Sequence, residues 1–120
     1  YEKENFDLMY ADLRIFGNGK EYIKRARLDK KFTTRHWNHP TTFVTRKVYL
    51  HHLYAIESIY DDLDFMLKAR AAGFKICVLN EVLASFRLGG VSNKKKLALC
   101  CSRIKLRNSI YKKNGCKGYR

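Results

Sequence analysis

The chain has 120 residues and a formal net charge of +14, from 25 Lys and Arg against 11 Asp and Glu. This length allows at most one domain. A hydrophobic content of 46% supports a packed core and excludes a chain that is disordered by composition. No run of about 18 apolar residues is present, so the sequence predicts no membrane-spanning helix. The basic excess predicts a surface that attracts phosphate groups in nucleic acid, nucleotides or an anionic membrane.

The cysteines show no spacing typical of a metal site. Cys77, Cys100, Cys101 and Cys116 form no CxxC pair and no Cys/His ligand pattern. Cys77 lies in an apolar run and is predicted to be a core residue, whereas Cys100 and Cys101 are adjacent and point to different parts of a helix surface. We therefore expect reduced thiols and a cytoplasmic protein.

The N-terminal part of the chain predicts a β-hairpin followed by a loop. The apolar-rich stretch 6–16 and the alternating stretch 20–28 flank Gly17-Asn18-Gly19, a sequence typical of a hairpin turn. Residues 29–38 are charged and irregular, which predicts a loop.

Short elements and one well-defined helix are predicted next. Residues 41–45 are β-branched and predict a strand that has Pro40 at its beginning. The apolar spacing of residues 46–54 predicts a short helix. Residues 61–72 show the strongest helical spacing, and Gly73 follows as a helix stop.

The C-terminal part predicts two strands and a long helix. Residues 75–79 and 82–88 are apolar and strand-like. A helix is predicted from Ser92 or Asn93 to about Lys113, where Asn114-Gly115 ends it. Its apolar residues are expected to lie near one side: Leu97, Cys100, Cys101, Ile104 and Tyr111.

Three carboxylates open the helix at residues 61–72, which is unusual in a strongly basic chain. Asp61, Asp62 and Asp64 suit the first turn of a helix, so capping and complementation of the helix dipole are one interpretation. A general base is the other, because a carboxylate held rigidly at a helix N-terminus suits removal of a proton from a hydroxyl group. Asp64 does not share the face of Asp62. The pattern therefore favours one base with supporting neighbours over a shared metal site.

The order of motifs resembles the C-terminal half of family 2 glycosyltransferases of the GT-A fold. The run Tyr60-Asp61-Asp62-Leu63-Asp64 is similar to an Asp-x-Asp of that family, with Asp62 at the position of the catalytic base. Downstream, the segment 82–93 ends in a similar Gly-Gly-Val-Ser loop. Upstream, residues 39–43 resemble a His-x-x-x-Phe segment on the acceptor side, and residues 10–12 resemble a Tyr-Gly-Asp with alanine in place of glycine.

The resemblance implies an α/β fold that is the C-terminal portion of a GT-A mixed sheet flanked by helices. Residues 1–120 would be a single domain fragment, the acceptor-side half of a glycosyltransferase domain without its donor-binding N-terminal half. The implied reaction transfers a sugar, with inversion, from a nucleotide-diphosphate sugar to a saccharide or lipid-linked hydroxyl acceptor in polysaccharide or glycolipid synthesis. Asp62 would be the catalytic base, supported by Asp61 and Asp64. Mg²⁺ or Mn²⁺ would be the cofactor, with ligands expected in the missing half and none in this chain.

Further residues are predicted to contact the acceptor or a phosphate group: His39, Thr41, Arg87, Gly89, Gly90 and Ser92. The glycines and the helix after them resemble an anion-binding nest, beside which Arg87 can pair with phosphate. The alternatives are a solvent-exposed loop histidine for His39 and a solvating charge for Arg87. Trp37 suits either stacking on a sugar or anchoring of its loop.

The basic last helix, with the lysine run 94–96, is typical of a solvated face but also suits an anionic membrane surface. The second reading places the protein in the cytoplasm at the inner face of the membrane. The alternative function is a non-enzymatic basic module that binds nucleic acid through residues 94–113. Nucleic acid is the less favoured partner, because the sequence has no recognised nucleic-acid motif and the acidic cluster would sit oddly on a phosphate-binding face.

Overall fold

The structure, a computed structural model, describes residues 5–29, 33–51, 61–89 and 97–115. Within these ranges the fold is mixed α/β, as the sequence predicted. The elements in chain order are β1 (Leu8–Gly17), β2 (Lys20–Lys24), a 3₁₀ turn (His39–Thr41), β3 (Phe43–Val44), α1 (Arg46–His51), α2 (Asp61–Ala71), β4 (Ile76–Arg87) and α3 (Leu97–Lys113). No helix in the described ranges is both long and apolar enough to cross a membrane.

The strand β1 is the centre of a four-stranded sheet, since all three other strands pair with it. β4 runs parallel to β1 from the pair Leu8–Ile76 to the pair Phe16–Arg87. β2 and β3 are both antiparallel to β1. Because a strand has only two hydrogen-bonding edges and β4 occupies one of them throughout, β2 and β3 share the other. They leave a gap between them at residues 10–12 of β1.

The 3₁₀ turn closes this gap with side chains instead of a strand. The N–H of Ala11 donates to Oγ1 of Thr41 at 2.8 Å, and Nδ2 of Asn38 donates to the carbonyl oxygen of Ala11 at 2.8 Å. Thr41 and Asn38 are each 1% exposed. Since a buried backbone N–H or C=O without a partner is costly, these two side chains stabilise β1 where no strand reaches it.

The predicted hairpin is confirmed. β1 and β2 pair up to Gly17 and Lys20, and the turn between them has three successive residues with positive φ: Gly17 at 116°, Asn18 at 51° and Gly19 at 71°. Glycine adopts such angles freely, and asparagine tolerates them better than most residues. The Gly-Asn-Gly sequence is therefore what allows the chain to reverse here.

Two strand predictions need correction. The strand expected at residues 41–45 is only Phe43–Val44, because Pro40 and Thr41 belong to the 3₁₀ turn that fills the gap beside Ala11. The two strands expected at residues 75–79 and 82–88 are one strand, β4, whose pairing with β1 shifts register on either side of Asp12. Extra residues in β4 are absorbed there as a bulge, so the polar Asn80 and Glu81 interrupt the ladder without ending the strand.

The helix predictions are confirmed within the described residues. α1 and α2 begin as expected, although residues 52–54 of the first predicted helix lie outside the description. Gly73 has a φ of 80° and Gly115 a φ of 73°, as expected for glycines that follow helix ends. The expected start of the last helix at Ser92 or Asn93 also lies outside the described residues.

The core forms where α2 packs on β1. Among its members are five residues of α2, namely Leu63, Phe65, Met66, Leu67 and Ala69, together with Leu8 and Tyr10 of β1. Full burial of a large apolar side chain contributes about 1.5–3 kcal/mol, so these contacts hold α2 firmly against the sheet.

α3 differs from the predicted amphipathic pattern. Ile110 and Tyr111 are buried in the core, but Cys100 and Cys101 are exposed and Ile104 is 49% exposed. The expectation that these residues share a buried side with Tyr111 is wrong, because the buried contacts of residues 100–113 are concentrated at the C-terminal turn. Cys77, predicted to be a core residue, is half-buried.

Candidate acid–base site

The structure brings together two of the predicted site residues, His39 and Asp62. Nδ1 of His39 lies 3.1 Å from Oδ2 of Asp62. The side chain of Asp62 is 24% exposed and that of His39 is 51% exposed. The pair is thus accessible from solvent. His39 belongs to the 3₁₀ turn and Asp62 to α2.

Asp62 is held by the first turn of α2. Its Oδ1 accepts a hydrogen bond from the N–H of Leu63 at 2.8 Å. Leu63 is fully buried, as are most of the residues that follow it in the helix. The carboxylate therefore has one oxygen engaged by the backbone and the other directed at the imidazole of His39.

His39 is held by the 3₁₀ turn. The residue before it, Asn38, also donates from Nδ2 to the carbonyl oxygen of Lys24 at 3.0 Å, and the carbonyl oxygen of His39 itself accepts from the N–H of Thr42 at 3.0 Å. The same turn is tied to Ala11 of the central strand by Thr41. The imidazole thus extends from a backbone that is fixed on both sides.

Trp37 anchors the loop before this turn. Its side chain is 5% exposed and its Nε1–H donates to Oγ1 of Thr42 at 3.0 Å. Its ring packs against that of His39 with centroids 5.4 Å apart and planes tilted by 57°. Of the two alternatives for Trp37, the structure supports the buried anchor, because a ring that is covered by protein cannot stack on a sugar.

Asp64 faces away from this pair and joins α2 to α3. It is 4% exposed, and its carboxylate lies 2.7 Å from Nζ of Lys68, accepts from Nδ2 of Asn114 at 2.9 Å, and lies 3.9 Å from Nζ of Lys113. Burial alone would raise the pKa of Asp64, but the hydrogen bonds from Asn114 and Lys68 and the lysine charges bring it below its ordinary value. Asp61, at the first residue of α2, is half-buried.

The other predicted contact residues lie in three different settings. The hydroxyl of Thr41 is engaged within the protein: besides accepting from Ala11 it lies 2.9 Å and 2.8 Å from the carbonyl oxygens of Ala11 and Asn38. Arg87 and Gly89 are exposed at the far end of β4. Arg87 pairs with Phe16, about 16 Å along β1 from Ala11 at the usual rise of a strand. Gly90 and Ser92 lie outside the described residues.

Asp12, which was noted only within the Tyr-Gly-Asp resemblance, is a fully buried anchor next to the gap in β1. Its Oδ2 accepts from Arg25 at 2.6 Å and its Oδ1 accepts from the N–H of Ala26 at 2.7 Å. Burial would raise the pKa of this carboxyl, but the hydrogen bonds from Ala26, Arg25 and Asn80 lower it. Asp12 thereby ties the chain after β2 to the central strand.

A second histidine–aspartate contact, in the loop after β2, was not predicted from the sequence. Nδ1 of His36 lies 2.6 Å from Oδ2 of Asp29, whose Oδ1 is 3.6 Å from the guanidinium of Arg27. The loop is irregular, so no periodic pattern indicates which of its side chains meet. This pair gives an internal comparison for the pair formed by His39 and Asp62.

The contact between His39 and Asp62 favours one tautomer of a neutral imidazole. An ionised carboxylate only accepts hydrogen bonds, so a neutral His39 has its proton on Nδ1 and a lone pair on Nε2. Nε2 lies on the opposite side of the ring from Nδ1. The arrangement can therefore accept a proton at Nε2 and stabilise the resulting imidazolium with the charge of Asp62.

The described residues do not offer a metal site. No group of three or more His, Cys, Asp or Glu side chains converges within residues 5–29, 33–51, 61–89 and 97–115. Asp62 and Asp64, the two acids of the Asp-x-Asp resemblance, are committed to different partners.

Comparisons of the chain with known protein families, with curated proteins and with solved structures give no match.

Proposed function

We propose that this chain is the acceptor-side part of a nucleotide-sugar-dependent glycosyltransferase and that the pair formed by His39 and Asp62 is its base. The observation that supports the proposal is the 3.1 Å contact between Nδ1 of His39 and Oδ2 of Asp62 on a solvent-accessible surface. The sequence resemblance assigned these two residues to the acceptor side independently of their contact. A base that orients and deprotonates a hydroxyl group is what such a transfer requires.

In the proposed reaction, the acceptor oxygen replaces the diphosphate oxygen at the anomeric carbon of the donor sugar. The acceptor hydroxyl loses its proton to the base while its oxygen forms a bond to the anomeric carbon. The bond from that carbon to the diphosphate oxygen breaks, and the nucleoside diphosphate leaves with the electron pair. Attack opposite to the leaving group inverts the configuration at the anomeric carbon.

The residues have distinct parts in this proposal. Asp62 supplies the carboxylate, His39 the imidazole, and Asp61 the start of the helix that carries Asp62. Thr41 positions His39 through the 3₁₀ turn, since its hydroxyl is engaged with Ala11. Asp64 supports the site only by fixing α2 against α3. Contacts of Arg87 and Gly89 with a phosphate group stay predictions.

A divalent metal enters the proposal only through the donor-binding half of the enzyme, where its ligands are expected. Mg²⁺ or Mn²⁺ would neutralise charge on the leaving diphosphate when bound. The side chains that the structure describes form no site for such an ion. The deprotonation proposed for His39 and Asp62 does not require either residue to bind the metal.

A membrane surface is the proposed setting for a lipid-linked acceptor. Exposed lysines lie on α3, among them Lys105, Lys112 and Lys113. Each basic residue near an anionic leaflet contributes about 1 kcal/mol to binding. Co-sedimentation with vesicles of phosphatidylglycerol tests this point: binding that is lost at 0.5 M salt supports it, and equal recovery with uncharged phosphatidylcholine vesicles contradicts it.

The donor is tested by calorimetric titration of the full-length gene product with a panel of nucleotide sugars in the presence of Mn²⁺. We expect saturable binding of one nucleotide sugar, weakened when the metal is chelated. No binding to any donor by a folded protein would contradict the transferase proposal and would favour the basic nucleic-acid module, whose affinity should fall steeply with salt and be unaffected by Asp62→Asn.

A further inference from the structure

We infer that, within the proposed base, the atom that takes the proton of the acceptor hydroxyl is Nε2 of His39, and that Asp62 acts through the imidazole as a positioning residue. The inference rests on the proposed function and changes the assignment of the catalytic residue that the sequence resemblance gave. It follows from the contacts of the two side chains and from their different exposure.

Both carboxylate oxygens of Asp62 have a nitrogen atom close by. Oδ1 accepts from the backbone N–H of Leu63 at 2.8 Å, and Oδ2 faces Nδ1 of His39 at 3.1 Å. The side chain is also only 24% exposed, which restricts the approach of a hydroxyl group.

The imidazole of His39 has the opposite properties. It is 51% exposed, and Nδ1 faces the carboxylate. Nε2, on the far side of the ring, is therefore the basic atom of the pair that a solvent-borne hydroxyl can approach. The ring orientation is set from two sides, by Asp62 at Nδ1 and by Trp37 against the ring plane. An oriented imidazole with a carboxylate at its other nitrogen is well suited to general base catalysis.

The proton and charge balance of the step is as follows. The acceptor O–H bond breaks, its proton moves to Nε2, and its oxygen bonds to the anomeric carbon as the nucleoside diphosphate leaves. His39 becomes an imidazolium whose Nδ1–H remains directed at the carboxylate of Asp62, so the new positive charge lies beside a negative one. Because the ring is half-exposed, the proton passes to water after the transfer and restores the neutral imidazole.

The deciding experiment is chemical rescue of His39→Ala in the full-length protein. Release of nucleoside diphosphate is measured from a panel of UDP-, GDP- and dTDP-sugars with alkyl glycosides as hydroxyl acceptors. We expect His39→Ala to lower turnover by about 100-fold or more, and added imidazole to restore at least about a tenth of wild-type turnover, because the half-exposed position admits a free base. A residue with only a structural part would not be replaced by imidazole in this way.

Matched variants separate the possible results. His36→Ala removes the histidine of the other histidine–aspartate pair and is expected to keep turnover within about two-fold of wild type, with no response to imidazole. Wild-type-like turnover of His39→Ala, or loss of its turnover without rescue by imidazole, would overturn the assignment of the base to Nε2. In either case the transferase proposal would still stand if Asp62→Asn were inactive. No turnover of any nucleotide sugar by the wild-type protein would overturn both.

Discussion

Asp62 and Asp64 lie on different faces of the first turn of α2, and their carboxylates have different kinds of partner. Asp62 is partly exposed and faces a half-exposed histidine across 3.1 Å. Asp64, two residues later, is 4% exposed and bound by Lys68 and Asn114. A sequence of closely spaced acids therefore does not form a single cluster here: one acid faces a solvent-accessible partner and the other joins two helices.

The difference shows how burial and partner together separate a candidate site from a structural contact. Asp64 has two cations and an amide around it, so its charge is balanced within the protein. Asp62 has a titratable partner whose side chain is 51% exposed. Charge pairing alone is common on protein surfaces and contributes little, whereas a pairing that fixes a proton-accepting atom can serve a reaction.

The largest effect is expected from Asp62→Asn in the full-length protein. Asparagine keeps the shape of the side chain but removes the charge that stabilises an imidazolium, so turnover of the nucleotide sugar should fall by about 100-fold or more. The free energy of unfolding, measured by urea denaturation, should change by less than about 1 kcal/mol because His39 is half-exposed and solvent screens its contact with Asp62. Turnover within a few-fold of wild type would remove Asp62 from the chemistry.

Asp64→Ala should give the reverse pattern. The substitution leaves the amide of Asn114 and the ammonium of Lys68 without their acceptor, which costs about 2 kcal/mol of unfolding free energy. The cost is below that of a fully buried pair because Lys68 and Lys113 are 35% and 54% exposed and can regain water. Turnover per folded molecule should stay near that of wild type. A variant that keeps full stability but loses activity would contradict the separation of the two acids.

Thr41→Val should cost about 1–2 kcal/mol, because the buried N–H of Ala11 loses its acceptor while the shape of the side chain is kept. Since the same turn carries His39, turnover should also fall, but by less than for Asp62→Asn. Thr42→Val is the control: it removes the hydroxyl that accepts from Trp37 while the contact between Thr41 and Ala11 stays in place. Equal loss of turnover in both variants would argue against a specific part for Thr41.

Lowering the pH should reduce the free energy of unfolding as Asp64 and Asp12 become protonated. Their pKa values in the folded protein lie below the ordinary value of 3.8, so the unfolded chain binds more protons than the folded protein as the pH falls. The stabilisation by these carboxylates is therefore complete above about pH 5 and is lost as the pH falls through the lowered pKa values. Urea denaturation between pH 6 and pH 2.5 should show a steeper loss for wild type than for Asp64→Asn. Identical slopes would contradict the ion pairing of Asp64.

The smallest effect is expected from Arg87→Ala. Arg87 is exposed at the end of β4 and about 16 Å along the sheet from the gap at Ala11. Its removal should change the free energy of unfolding by less than about 0.5 kcal/mol. If Arg87 pairs with a phosphate group of the donor, one of the contacts open to it in the sequence prediction, the KM for the nucleotide sugar should rise while kcat stays the same. An unchanged KM would leave Arg87 as a solvating charge.

Much of the secondary structure could be predicted because it is set by local patterns. Helical apolar spacing indicated α2, and the Gly-Asn-Gly sequence indicated the hairpin. The 3₁₀ turn at residues 39–41 could not be predicted, because it exists to fill a gap at Ala11 that appears only when β2 and β3 have paired. The continuity of β4 was missed for a related reason: its bulge at Asn80 is defined by its partner strand.

The sequence named the residues of the candidate site but could not show their contacts. Resemblance to a family singled out His39, Asp62 and Asp64, yet local spacing cannot show that His39 meets Asp62 while Asp64 meets Asn114. Those contacts depend on how the 3₁₀ turn and α3 pack around α2. Thr41 was assigned to ligand binding from its place in the resemblance, and only tertiary structure shows that its hydroxyl is engaged with the central strand.

The contact between His39 and Asp62 can be measured without knowledge of any substrate. Two-bond ¹H–¹⁵N correlation spectra at pH 8 report which imidazole nitrogen of each histidine carries the proton. We predict that His39 is protonated on Nδ1 in the wild-type protein and loses this preference in Asp62→Ala, while His36 is unaffected by that substitution. Protonation of His39 on Nε2, or a spectrum of His39 that Asp62→Ala does not change, would contradict the acid–base pair.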